Sequence, residues 1–139
     1  MSEVIKWDDK YLIGIDEIDA QHKKWIDIYN RFVIARQEHN EHEVLKEILM
    51  EIVDYTKYHF ETEEKYMKKY DYPDISKHKD KHNYLIKEIS DLILSVNYNE
   101  EEAIVTLEKM MKEWILKHIL TFDKAFGKYV NKKIAEENK

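Results

Sequence analysis

The chain has no cysteine, which excludes disulfides, thiol nucleophiles and sulfur-ligated iron or zinc, so any bound metal must be held by imidazole and carboxylate. With two glycines and one proline in 139 residues, it has few of the residues that break helices or shape the turns of a sheet protein. Basic clusters are missing as well. The 23 lysines and arginines are interspersed among 29 aspartates and glutamates, for a net charge of −6, so no nucleic acid partner is expected. No apolar run approaches a membrane span, and residues Met1 to Gly14 lack the apolar stretch of a signal peptide. These absences point to no membrane attachment and a cytoplasmic location. What is present, 43% hydrophobic and 37% charged residues over the length of one ordinary domain, suits a soluble, mostly helical protein with a real core.

Periodicity divides the chain into an irregular arm to about Ile18 and four helical segments with short connections. The first is expected near residues 19–37, on the stripe Trp25, Ile28, Tyr29, Phe32 and Val33, with Asp16 and Asp19 as capping residues. After Glu38-His39-Asn40-Glu41, a second runs to about Tyr70 along Leu45, Leu49, Ile52, Thr56, His59, Glu63 and Tyr66. Pro73 ends it, and Asp74 is placed to cap the third, whose seam is His78, His82, Leu85, Ile89, Leu92 and Val96. The fourth shows Ile104, Leu107, Met111, Trp114 and His118, and Phe126 to Ile134 reads as a short C-terminal helix. Steps alternating between three and four residues are the mark of helices bundled at shallow angles. The fold expected is therefore all-α, a four-helix bundle of up-down-up-down order with an irregular N-terminal arm. Met50, Met67, Met110 and Met111 read as core filler, and His39 and His42 as solvated residues of the first loop.

Seven polar residues stand on or near the apolar stripes, where an unpaired ionisable group is costly: His22, His59, Glu63, His78, His82, His118 and Asp123. The spacing of His59 to Glu63 recurs from His78 to His82, and four residues along a helix turn through about 40°, so each pair points one way. In an up-down-up-down bundle the start of the first helix, the end of the second, the start of the third and the end of the fourth share one pole. All four helices thus deliver a histidine to the same place. Any one histidine alone is more simply a packed core residue, but the set of seven has the donors to close around a pair of metal ions, and histidine and carboxylate alone would suit iron, zinc, manganese or copper. Asp123 is the exception. Five residues beyond His118, it would be rotated by about 140° in a regular helix, so a bulge, kink or end is expected between them.

The run from Gly14 to His22, with Gly14-Ile15-Asp16-Glu17-Ile18-Asp19-Ala20-Gln21-His22, then His59-Phe60-Glu61-Thr62-Glu63-Glu64, His78-Lys79-Asp80-Lys81-His82 and His118-Ile119-Leu120-Thr121-Phe122-Asp123, resembles the hemerythrins, particularly their single-domain bacterial members. The resemblance covers nearly the whole chain, Trp7 in the arm included, and all seven ligand positions of the pattern are filled. It implies one hemerythrin-like domain over residues 1–139 and the same up-down-up-down topology. It also implies a non-haem centre of two iron ions, cycling between ferrous and ferric, with a bridging hydroxide or oxide. One iron would take His78, His82 and His118, the other His22 and His59, with Glu63 and Asp123 bridging both. These donors leave one open position, on the iron with two histidines, where dioxygen would bind end-on as hydroperoxide. Phe60, Trp114, Ile115 and Ile119 would line a dry oxygen pocket, and Trp7 would pack across the same end.

The function expected is reversible oxygen binding for storage, delivery or scavenging, without an enzyme's catalytic residues. A histidine-rich set without Glu-x-x-His pairs favours carriage over oxygenase chemistry. The alternatives are an oxygen or redox sensor, and a di-iron oxidase, peroxidase or nitric oxide scavenger. Dioxygen is the ligand, and the reading leaves room for an oxygen-consuming or reducing partner protein. The acidic surface is compatible with a monomer.

Overall fold

A computed structural model describes residues 3–138, and all of its regular elements are helical. A single 3-10 turn, Asp9–Tyr11, sits in the arm. It is followed by α1 (Asp16–Gln37), α2 (Glu41–Lys69), α3 (Ile75–Ser95) and α4 (Glu100–Glu113). A π-helical segment, Trp114–Asp123, then joins α4 to α5 (Lys124–Glu137) with helical backbone at both junctions. Helix α1 packs on α2, α2 on α3, α3 on α4, and α4 back on α1, which is the up-down-up-down bundle. No helix among the described residues is long and apolar enough to cross a membrane.

The ends of the helices depart from expectation in instructive ways. Helix α1 starts at Asp16, three residues early, and its N-cap position is Ile15, which offers no side-chain cap. Asp19 is not a cap either. It is buried in the helix's first turn, and its carboxylate accepts the N–H groups of Ile13 (2.7 Å) and Gly14 (3.2 Å), so it ties the arm down. Asp74 occupies the N-cap position of α3 without a side-chain cap bond, whereas Asn99 does cap α4, accepting from the Glu102 N–H at 3.1 Å. With glycine so scarce, the left-handed residues that close α1 and α2 are His39 (φ 60°) and Asp71 (φ 51°), types that tolerate this region better than most. Around each, the amide two residues past the cap returns to the carbonyl five back: Asn40 to Ala35 (2.9 Å) and Tyr72 to Met67 (2.9 Å). His39 therefore terminates a helix. His42 lies within α2 and reaches Glu100 (3.0 Å) and Glu101 (2.6 Å) at the start of α4.

Two apolar clusters form. The larger fills the bundle with Trp25, Phe32, Ile52, Leu85, Leu107 and Met111 among others. The smaller joins Ile13, Ile15 and Ile18 to Met67, Tyr70, Tyr72, Phe126 and Val130. Met50 belongs to neither and lies on the surface, unlike Met67, Met110 and Met111. Gly127 allows the second cluster to close, because a Cβ there would stand 2.0 Å from the Ile13 carbonyl oxygen. The arm is pinned by a reciprocal pair of 2.7 Å bonds between the Ile5 backbone and the Asn30 amide, and Trp7 packs against Tyr11.

Candidate metal centre

All seven residues singled out by the sequence converge at one pole of the bundle, between the two apolar clusters. His59 stacks on Tyr55 and His82 on Phe60 of the larger cluster, while His78 meets Tyr72 and Phe126 of the smaller. None of the seven exposes more than 3% of its surface. α1 supplies His22, α2 supplies His59 and Glu63 one turn apart, and α3 supplies His78 and His82 one turn apart. The π-helical segment supplies both His118 and Asp123. Its wider turn, with hydrogen bonds reaching five residues back, brings residues five apart onto one side and resolves the geometric conflict at Asp123. The Asp123 Oδ1 atom lies 3.1 Å from His118 Nε2 and 2.9 Å from His78 Nε2, and its Oδ2 atom lies 2.9 Å from His22 Nε2. Glu63 stands at the other side of the cluster, with Oε1 3.0 Å from His59 Nε2 and 3.1 Å from His82 Nε2.

These donors fall into two groups whose ligating atoms lie within 4.8 Å of one another: Glu63, His78, His82, His118 and Asp123, and His22, His59, Glu63 and Asp123. The two carboxylates are common to both. Every histidine presents Nε2, yet the Nε2 atoms of His22, His59, His78 and His118, one oxygen of Glu63 and both of Asp123 make no proper hydrogen bond though buried. Left so, each would cost about 1–3 kcal/mol, and a cation facing these lone pairs would remove that cost. The residues therefore fit a metal.

Electrostatics agree. Burial pushes the Glu63 carboxyl well up, reinforced by Asp123 close by, whereas the surrounding imidazoles, His118 first, overcome burial at Asp123 and hold it well down. Without a cation, two buried carboxylates at this distance do not both carry charge. Burial lowers His59 to about 4, lowers His82 to about 2 with help from His78 and His118, and also lowers His118. Neutral imidazole is the form that ligates. At His78 burial lowers the pKa, but the Asp123 carboxylate 2.9 Å away outweighs it and the net shift is upward.

A supporting shell was not visible in the sequence. His59 Nδ1 donates to Gln21 Oε1 at 2.6 Å, which orients the ring and leaves Nε2 with its lone pair toward the cluster. The Gln21 amide donates in turn to Thr62 Oγ1 (3.2 Å), and the Tyr55 hydroxyl donates to the Gln21 carbonyl. Gln21 and Thr62 adjoin His22 and Glu63 in the chain, which is the only signal that could have found them. Of the expected pocket lining, the Phe60 ring stacks 3.8 Å from that of His82 and reaches 5.8 Å from that of His59, and Trp114 stacks 3.6 Å from His118. Ile115 and Ile119 are fully buried beside them in sequence. Trp7 is half-buried, against Tyr11 and the larger cluster.

Comparison with known proteins agrees with this arrangement. The family model of the Hemerythrin HHE cation binding domain matches residues 13–130. The chain is similar to a bacteriohemerythrin of Stenotrophomonas maltophilia, 33% identical over 91% of this chain and 82% of that protein. It is similar also to one of Clostridium acetobutylicum, at 28% identity over 86% and 96% of the two chains, and to one of Pseudomonas aeruginosa, at 30% over 94% and 84%. The chain belongs to the hemerythrin family, and its buried histidines and carboxylates form a cluster able to hold a metal.

Proposed function

We propose that the protein binds dioxygen reversibly, for storage, delivery or scavenging, at two irons held by the seven residues of the cluster. The observation that carries this reading is the pair of donor groups sharing Glu63 and Asp123 in a fully buried site. His78, His82 and His118 would hold one ion and His22 and His59 the other, with Glu63 and Asp123 within reach of both. When bound, a pair of ferrous ions supplies the electrons with which dioxygen is taken up and given back. With three histidines on one side and two on the other, the ion beside His22 and His59 would be the less fully ligated and so the one free to take dioxygen.

The remaining side chains keep the site rigid and dry. Gln21 fixes the His59 ring, so an ion on that side would meet an imidazole held in place. The Tyr55 ring stacks on that of His59, and its hydroxyl proton is committed to the Gln21 carbonyl. Burial raises its pKa well above the ordinary phenol value, which further discourages proton release. Phe60, Trp114, Ile115 and Ile119 wall the cluster with apolar surface, and the arm and α5 close the pole. Exclusion of water and of loose protons slows loss of the bound ligand and oxidation of the metal, which is what a carrier needs and an oxidase does not. The reading is thus of a binding protein rather than an enzyme.

The test is the visible spectrum of the reduced, iron-loaded protein under argon, after air and after renewed purging. A band that appears with oxygen and fades on purging is expected. A band that never fades, or that decays to a ferric spectrum with release of peroxide, would overturn carriage in favour of an oxidase or redox sensor.

A further inference from the structure

The outer face of α2, far from the seven residues in both burial and chemistry, carries a pattern that the metal centre does not explain. Met50 is 59% exposed and stands with Val53 and Ile93 beside an apolar groove between α2 and α3. Around Met50 the charges are arranged in opposed pairs. Lys46 and Asp54 lie four residues before and after it, and Glu43 and Lys57 seven before and after. At about 100° per residue, four residues depart from Met50 by about 40° and seven by about 20°, so all five side chains share one stripe about 21 Å long. All four charged residues are exposed, and none forms an ion pair with another described residue.

We propose that this stripe is a docking surface for a second copy of the chain, with the two α2 helices antiparallel about a two-fold axis passing beside Met50. Such an axis carries each residue k positions after Met50 onto the one k positions before it in the other copy. Lys46 then faces Asp54 of the second copy, and Glu43 faces Lys57, each pairing occurring twice. Met50 meets its own counterpart at the centre, with Val53 and the groove beside it. The arrangement has the anatomy of a small interface, apolar in the middle and charged at the rim, in which complementary charge sets the register. A parallel arrangement would instead set Lys46 on Lys46 and Asp54 on Asp54. The interface lies on the outside of α2, so either copy keeps its own complete metal cluster.

Sedimentation of the full-length, metal-loaded protein from roughly 10 µM to 1 mM, a range in which weak self-association is seen, tests this. A dimer weakened by salt is expected, with Lys46→Asp alone and Asp54→Lys alone each loosening it by roughly tenfold or more, because either change places like charges opposite. The double variant carrying both changes restores opposite charges at both contacts and should recover the dimer. The pair Glu43→Lys and Lys57→Glu gives the same test at independent positions, with circular dichroism and metal content showing that each variant folds. A monomer at every concentration would overturn the proposal and leave the face to a different protein. So would a dimer indifferent to the single reversals, or one that the double reversal fails to restore.

Discussion

His59 shows how a single residue is prepared for a metal. Its Nδ1 proton is taken by Gln21, its Nε2 faces Glu63, and burial holds it neutral until about pH 4. Because the folded value lies below the unfolded one of 6.5, the stability linked to this group is complete above about pH 6.5 and is lost as pH falls toward 4. Ring titration by NMR in the metal-free protein should therefore find His59 still neutral at pH 5, and a midpoint near 6.5 would mean that the ring is solvated. Ligand substitutions are the second test at this scale. His118→Ala should remove or loosen one metal, whereas His39→Ala should leave metal content unchanged, as measured by elemental analysis; equal loss in both would contradict the assignment. The seven residues were legible because imidazole and carboxylate on an apolar stripe are conspicuous. Gln21, Thr62 and Asp19 were not, since an amide, a hydroxyl or an acid near a helix start looks like any surface residue until its partner is in place.

The four periods were readable because each helix buries a stripe of one hand of spacing, and the conflict at Asp123 was readable as a conflict. Its resolution, a ten-residue π-helical segment running straight into α5, was not, because hydrogen bonding one residue wider leaves no mark on hydrophobic spacing. The approach of the arm to α5 was equally hidden. A methyl group at Gly127 would meet the Ile13 carbonyl at 2.0 Å, so the arm or α5 must shift. Gly127→Ala should lower stability by about 1–3 kcal/mol in urea unfolding and admit water to the pole, speeding oxidation of the reduced metal while metal content stays the same. An unchanged oxidation rate would show that the arm does not shield the site.

For the whole molecule, the centre lies between two apolar clusters and so is part of the core. The smaller cluster draws on residues from Ile13 to Val130, and such a distant meeting cannot be seen in any local window of sequence. One consequence concerns stability. Buried lone pairs on His22, His59, His78, His118, Glu63 and Asp123 are unpaired without a cation, so metal bound to the native state alone stabilises it by linkage. Stripping the metal with a chelator should lower the thermal midpoint and release the smaller cluster first, as hydrogen exchange at Met67, Tyr72 and Val130 would report. A midpoint unaffected by chelation would mean that the cluster is a self-sufficient polar network.

The claim beneath all of this is that Glu63 and Asp123 are shared between two metal ions. Iron titration of the metal-free protein, with metal per chain counted for the native sequence and for Glu63→Ala, tests it most directly. Two irons per chain, bound together and both weakened by the single substitution, is the result the account requires. One iron per chain, or two of which Glu63→Ala disturbs only one, would contradict it.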